Sequence, residues 1–191
     1  MAMNMLGNGL FNAEHYEDAL TVMEAELATR RRLGDSEDNF LSVQSNLANT
    51  YAALGQTDKA MRIERDLYSR LLKLYGEEDE ETILAAINYA VSLVNLGRFV
   101  ETKSLLRRTL PVARRVLGQD DHLTLRMRWA YAEALYRDAG ATLGDLREAV
   151  TTLEDTERIA RRVMGGAHPL ARDIESTLQN AREALAARDE A

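Results

Sequence analysis

The side chains best suited to catalysis are few in this sequence. Histidine is the most frequent general acid–base group in enzymes, and only His15, His122 and His168 occur among the 191 residues. No two of them stand three or four residues apart, so no histidine pair shares a helix face for metal binding or proton transfer. Cysteine is absent, which excludes disulfides, thiolate catalysis and thiolate metal sites. We therefore expect no enzyme activity, no metal site and no cofactor.

Other motifs with chemical potential are also weak. Gly165-Gly166 is not followed by Lys-Ser/Thr, as a phosphate-binding loop would be. The acidic run at 77–81 lacks the alternating ligands and central glycine of a calcium loop. Arginine clusters at 30–32, 114–115 and 161–162 allow two interpretations, solvated helix ends or a phosphate-binding surface. Bases at helix C-termini complement the helix dipole, which favours the first.

The composition favours an all-helical protein without a nucleic-acid or membrane role. Hydrophobic residues make up 46% and charged residues 29%, as in folded proteins. Only two prolines occur, and the abundant Ala, Leu, Glu and Arg are strong helix formers. A net charge of -7 opposes binding to a nucleic-acid backbone. No apolar run approaches the roughly 20 residues that cross a bilayer, and no secretory signal is visible. We expect no membrane insertion and a cytoplasmic location.

The elements that would position any binding residues are repeated. Gly34, Gly76 and Gly118 stand 42 residues apart, and Gly165 follows 47 residues later. Each glycine ends an apolar stretch that carries Arg or Lys. A fixed period of this length predicts a stack of one repeated unit rather than a single closed globule.

Small residues recur in the same register as the glycines. Where two helices are joined by a short turn, small side chains let them cross closely while larger neighbours fill the gaps. The predicted crossing residues are Gly7, Ala48, Ala90 and Ala132 on the first helices, and Ala19, Ala60, Thr102 and Ala149 on the second helices.

The pattern resembles the tetratricopeptide repeat. Leu6-Gly7, Tyr16-Glu17-Asp18-Ala19 and the segment 51–55 match its order of large, small, aromatic, glycine, acidic and alanine positions. The usual period is about 34 residues, and the longer unit here is similar to the repeats of kinesin light chains. Met164-Gly165 followed by His168-Pro169 matches the junction between those repeats. HEAT repeats have a similar period, but the phased small residues and the Gly-x-aromatic turns favour the tetratricopeptide interpretation.

The resemblance implies an all-α fold, a right-handed α-solenoid of about four antiparallel helix pairs plus a C-terminal capping helix. We expect a single helical-repeat domain at 1–187, and the polar Gln179 and Arg182 on the last helix are typical of a cap. The first pair lacks a cap, which leaves open a longer array, and an insertion lengthens the fourth pair at 138–145. The pairs are predicted at about 1–34, 35–76, 77–118 and 119–165, with the cap at 166–187 and a tail at 188–191. The helices are predicted at about 2–12, 15–33, 37–54, 57–75, 79–96, 99–117, 120–139, 145–164 and 168–187.

In proteins that this chain resembles, the first helices line a concave groove that binds extended peptides. An asparagine amide both donates and accepts hydrogen bonds, which suits a peptide backbone, while apolar groove residues suit its side chains. The alternative is that the asparagines form hydrogen bonds within their own helices or between neighbouring helices, and that the aromatic residues pack within the stack. The groove positions carried over are Asn8, Phe11, Asn12, Ser45, Asn46, Asn49, Ala53, Ile87, Asn88, Val91, Asn95, Trp129, Glu133, Tyr136 and Arg137.

Kinesin light chains take acidic peptides by means of basic groove residues, a preference that this groove does not reproduce. It offers only Arg126 and Arg137, beside Glu133. We expect a protein or peptide partner of a non-catalytic interaction scaffold. The alternative function is a structural, self-assembling repeat segment of a larger multidomain protein, with weak self-association.

Overall fold

The computed structural model describes residues 2–34 and 37–189, without the side chains of residues 2 and 37–39. The described residues form α-helices joined by short turns, and none of them lies in a β-strand. Each predicted helix boundary lies within two residues of the observed one. The helices are α1 (Ala2–Asn12), α2 (Tyr16–Leu33), α3 (Glu37–Ala53), α4 (Thr57–Tyr75), α5 (Glu80–Asn95), α6 (Phe99–Val116), α7 (His122–Arg137), α8 (Leu143–Met164) and α9 (Pro169–Asp189).

The periodic glycines are the stops of the second helices. Gly34 follows α2 with φ of 64°, and its N–H donates to the carbonyl of Arg30. Gly118 follows α6 with φ of 94°, and Gly76 also has a positive φ. An L-residue with a side chain is disfavoured in this left-handed region, which explains why glycine recurs there.

Acidic residues cap the starts of two first helices in the same register. The Asp79 carboxylate accepts a hydrogen bond from the backbone N–H of Thr82 at 3.0 Å. Forty-two residues later, the Asp121 carboxylate accepts from the N–H of Leu123 at 2.8 Å. Each cap satisfies a backbone donor that has no partner within the helix.

Two arginines at the ends of second helices are exposed and paired with acids. Arg115 of α6 contacts Glu78 at 2.6 Å, and Arg162 of α8 contacts Asp120 at 2.6 Å. Both pairs join the end of a second helix to the residues before the first helix of its own pair. Exposed pairs of this kind contribute at most about 1 kcal/mol each.

The helices form two compact units, Met1–Leu74 and Tyr75–Ala191. In the first unit, one apolar core joins α2, α3 and α4. Helix α1 packs closely on α2. A Cβ atom at Gly7 would lie only 3.0 Å from Cγ of Met23. The single-domain organisation stays a prediction. The core residues of the first unit are Ala19, Met23, Leu27, Val43, Leu47, Tyr51 and Ala60.

In the second unit, each first helix packs against its own second helix and against the next pair. Helix α5 packs on α6 and α7, and α7 packs on α8 and α9. The predicted crossing residues lie inside this packing, since none of them has exposed surface. These residues are Ala90, Thr102, Ala132 and Ala149.

The insertion in the fourth pair is divided between a turn and a helix. Helix α7 ends at Arg137 and α8 begins at Leu143, so the turn is longer than the one at 96–98, and α8 is longer than α6. The Asp138 carboxylate accepts hydrogen bonds from Lys103 Nζ at 2.7 Å and from the N–H of Gly140 at 3.0 Å. Both hydrogen bonds lower the pKa of Asp138, and the one from Lys103 has the larger effect. The insertion is therefore an ordered, ion-paired turn.

The last helix has one apolar and one polar face. Ala171, Ile174 and Leu178 are buried, whereas Gln179 and Arg182 are exposed. This is the arrangement expected of a helix that ends a stack. The helix continues through Asp189, two residues beyond its predicted end.

We predict that Ala90→Leu lowers the free energy of unfolding by about 1–3 kcal/mol, because the added atoms have no space at the crossing. Urea denaturation followed by helical circular dichroism measures this change. Ala186→Leu, on the exposed end of α9, is the matched control and should have little effect. Equal stability of the two variants would contradict a close crossing at Ala90.

Candidate functional site

Predicted groove residues of the first unit meet around one cavity. Helices α1 and α3 contribute these residues, and the cavity has a volume of about 280 Å³. Ser45, also predicted, is half-buried on α3 but does not line the cavity. The lining consists of Asn8, Phe11, Asn12, Asn46 and Asn49, together with Met23 of α2.

The amide groups around this cavity are largely free. Asn8 Nδ2 donates to the side-chain oxygen of Asn4 at 3.0 Å. Among the side chains that the structure describes, those of Asn12, Asn46 and Asn49 have no hydrogen-bond partner. The alternative in which asparagines bond within their own helices therefore describes Asn8 but not the other three.

The apolar part of the cavity is formed by Phe11 and Met23. The Phe11 ring packs edge-on against Tyr16, with ring centroids 5.3 Å apart. Met23 is 2% exposed, and its sulfur accepts a weak hydrogen bond from Thr50 Oγ1 at 3.2 Å. Sequence reasoning missed Met23. The signal that could have found it is Gly7, whose missing side chain leaves the space that Met23 occupies.

In the second unit, α5 presents a similar but shorter set of amides. Asn88, Val91 and Asn95 follow each other by three and four residues, so they lie on one helix face. Asn88 and Val91 are half-buried and Asn95 is exposed. Neither amide has a side-chain hydrogen bond to the described part of the chain.

Ile87 does not belong to this face. It has no exposed surface, so the prediction that it contacts a peptide is corrected. A step of one residue turns the side chain by about 100° around a helix, which directs Ile87 into the core of the second unit while Asn88 remains accessible.

The aromatic residues predicted on α7 are held by α9. Trp129 Nε1 donates to Thr177 Oγ1 at 2.9 Å, and Tyr136 forms a side-chain hydrogen bond with Asn180. Burial is the largest cause that raises the pKa of Tyr136. Both rings are half-buried, so their positions are fixed by packing, and part of each remains accessible.

Charges on the same face of α7 are mostly neutralised. Glu133 pairs with Arg137 at 2.6 Å, and the Arg137 guanidinium lies 5.3 Å from the centroid of the Phe99 ring. Arg126, one helical turn before Trp129, is half-buried, and its burial lowers its pKa. Within the described residues, Arg126 has no ion-pair partner.

Comparison with known families fits this geometry. Residues 40–81 and 82–124 each match the sequence profile of the tetratricopeptide repeat. These segments are tetratricopeptide repeats. The tetratricopeptide resemblance is thereby confirmed over the HEAT alternative, and tetratricopeptide repeats typically mediate protein–protein interactions.

Solved structures share the fold. Two crystal structures of a Podosopora anserina protein, described as a kinesin light chain with nearly identical TPR-like repeats, have TM-scores of 0.80 and 0.78. Each is 20% identical over 99% of this chain, which corresponds to 87% and 88% of their own chains. BtubC (BKLC) from P. vanneervenii has a TM-score of 0.70 at 14% identity, over 98% of this chain and 77% of its own. The predicted all-α helical-repeat fold is confirmed.

The remaining comparisons identify no catalytic family. The search of curated proteins gives no match, and the matching profile is that of a repeat. In the described ranges, no helix is long and apolar enough to cross a bilayer. The same ranges contain no group of three or more His, Asp or Glu side chains arranged to hold a metal ion.

We predict that Thr177→Val lowers the free energy of unfolding by about 1 kcal/mol, because Trp129 then loses the acceptor of its indole N–H. Trp129 is the single tryptophan, so its fluorescence during urea denaturation reports the change directly. Thr151→Val is the matched control, since the Thr151 hydroxyl is exposed and bonds only to its own helix. Loss of stability in the control as large as in Thr177→Val would show that the indole contact is not responsible.

Proposed function

We propose that this protein is a non-catalytic, cytoplasmic interaction scaffold that binds an extended peptide segment of a protein partner. In each unit the first helices provide a binding face, and the cavity of the first unit is the main subsite. The general role of tetratricopeptide repeats supports the proposal.

The observation that carries the proposal is the set of unpaired amides around the cavity. Asn12, Asn46 and Asn49 meet there without hydrogen-bond partners among the described residues. Asparagine is mildly unfavourable inside a helix, so folding alone gives little reason for this set. Each amide offers a donor and an acceptor, and each residue of an extended peptide needs one of each.

The lining of the cavity suits one apolar side chain of a peptide and its flanking backbone. The cavity has a volume of about 280 Å³ and is open to solvent. Its lining carries no charged residue and includes the apolar Phe11 and Met23. A neutral apolar side chain fits this environment.

Helix α5 offers the same chemistry in the second unit. Asn88 is 42 residues after Asn46, and its amide is likewise free of hydrogen bonds to the described residues. Repetition of the same group at the repeat period matches the repeated backbone of an extended peptide. Contacts of this kind support an affinity on the order of micromolar, or about 8 kcal/mol.

We predict that replacing Asn46, Asn49 and Asn88 together with alanine weakens peptide binding about tenfold or more, since several backbone hydrogen bonds are lost. The probe is a fluorescent peptide selected on the wild-type protein from a library of extended sequences, and anisotropy gives the Kd. Ser69, Ser104 and Thr151, exposed residues of second helices, are replaced with alanine as the matched control. Unchanged affinity of the asparagine variant, at unchanged helicity, would overturn the groove assignment.

Exposed apolar side chains on helix α1 support a second function, which is self-association with another copy of the chain. Met5 is 74% exposed and Leu6 is 55% exposed. Neighbouring apolar side chains on a surface helix are candidates for protein contact. An isologous contact between two such helices would cover both of them.

We predict that Leu6→Glu reduces any self-association, because a charge at the contact would have to lose its water. Sedimentation velocity over a range of concentrations measures the oligomeric state of the wild type and of the variant. Val100→Glu, at another exposed apolar residue, is the control. A wild-type protein that remains monomeric at every concentration would contradict this second function.

A further inference from the structure

Arg128 of α7 is a mostly buried arginine whose hydrogen-bonding groups are unused. Its side chain is 14% exposed, and its nearest acid is Asp155 of α8, with 3.8 Å between Arg128 NH2 and Asp155 Oδ2. That distance is too long for a hydrogen bond. Within the described residues, no acceptor lies at hydrogen-bond distance from the Arg128 guanidinium. None of its nitrogen atoms is both buried and unpaired, so the guanidinium reaches solvent while its carbon stem is covered.

Two further arginines, on the second helices that pack against α7, act electrostatically on Arg128. Arg158 of α8 contacts the other oxygen of Asp155 at 3.0 Å. Arg114, in the last turn of α6, is exposed and has no partner in the described part of the chain. Burial lowers the pKa of Arg128, Asp155 opposes this effect, and the nearby charges of Arg114 and Arg158 add to it. We call Arg114, Arg128 and Arg158 the arginine cluster.

We propose that the arginine cluster binds the phosphate of a phosphorylated side chain on a protein partner. The cluster carries three positive charges against the single negative charge of Asp155, which leaves an excess of two. A phosphorylated side chain carries about −1.5 to −2 charges at pH 7 and has three acceptor oxygens. It therefore matches both the excess charge and the unused donors, whereas one carboxylate would neutralise only half of the excess.

The elements that carry the cluster suit such a ligand. The side chain of Arg128 is mostly buried, so packing restrains the stem that carries its planar guanidinium. Arg114 and Arg158 belong to α6 and α8, and both of these helices pack on α7. Arginine donors arranged in this way can bind phosphate oxygens in a bidentate manner, and a prepositioned side chain loses little entropy on binding.

This site is separate from the proposed peptide-binding face. Trp129 and Glu133 define that face on α7, and Arg128 is turned away from Trp129 by about 100° and from Glu133 by a larger angle. On its own side of α7, Arg128 is one turn from Tyr131, whose hydroxyl accepts from Arg107 at 3.2 Å and donates to Glu148 at 2.9 Å. The inference therefore does not depend on the proposed function, and either can fail alone.

Nuclear magnetic resonance tests the proposal through the Nε–H signal of Arg128. The probes are a short phosphoserine peptide with blocked ends, its unphosphorylated form, its glutamate form and inorganic phosphate, all at equal ionic strength. We expect saturable shifts with the phosphopeptide, and about tenfold or more weaker binding of the glutamate peptide. Saturation by inorganic phosphate without tighter binding of the phosphopeptide means an adventitious ion only, and overturns the proposal.

Substitutions locate the site. Arg128→Met keeps the buried stem and removes the donors, so binding of the phosphopeptide should fall about tenfold or more. Arg108→Met, at an exposed arginine of α6, is the matched control and should retain binding. If Arg128→Met loses helicity, the double variant Arg114→Gln with Arg158→Gln tests the same site through exposed residues. Equal binding by the control and by the cluster variants overturns the assignment.

Discussion

The close crossing of paired helices at small residues is the constraint on which the rest of this structure depends. Ala19, Ala60, Ala90 and Ala132 have no exposed surface, and no larger side chain fits where two backbones approach closely. Because these residues recur with the glycine period, they set the rotation of each helix about its axis. The rotation in turn decides which residues are left for solvent and for partners.

The exposed faces that result differ in their hydrogen bonding. Near the ends of the second helices, some charged residues form ion pairs, such as Arg115 with Glu78 and Arg162 with Asp120. On the first helices, the amides of Asn46 and Asn49 find no partner among the described residues. Side chains that are already ion-paired form few new hydrogen bonds with a ligand. An unpaired amide in a cavity bonds only to water in the free protein, and a ligand can replace this water with a more ordered hydrogen bond. This contrast is the physical basis for proposing that the binding face lies on the first helices.

The fourth pair shows a competition between stacking and binding. Helix α9 uses Thr177 and Asn180 to hold Trp129 and Tyr136, so two aromatic residues suited to binding also secure the last helix. Another side of α7 carries Arg128, whose side chain is mostly buried and whose guanidinium has no hydrogen-bond acceptor among the described residues. Helix α7 thus packs within the stack along part of its surface. Two other parts of its surface present different groups, aromatic rings on one and the Arg128 guanidinium on the other.

Much of this protein was determined by the sequence alone, because the relevant interactions are local or periodic. The helix boundaries, the left-handed glycines such as Gly34 and the burial of the crossing residue Ala90 follow from propensity, capping and period. The clustering of Asn8 with Asn49 around one cavity also agrees with the predicted face, although binding there stays a prediction.

Only the tertiary structure decided how deeply each residue of a face is buried and which partner it meets. Ile87 is adjacent to Asn88 in sequence but lies in the core, and Trp129 bonds to Thr177, 48 residues away. Met23 lines the cavity although it belongs to α2, a helix that the sequence did not predict to contribute to the groove. Periodicity gives the direction of a side chain from its own helix. Its burial and hydrogen bonds depend on neighbouring helices that are distant in sequence, and no local pattern encodes them.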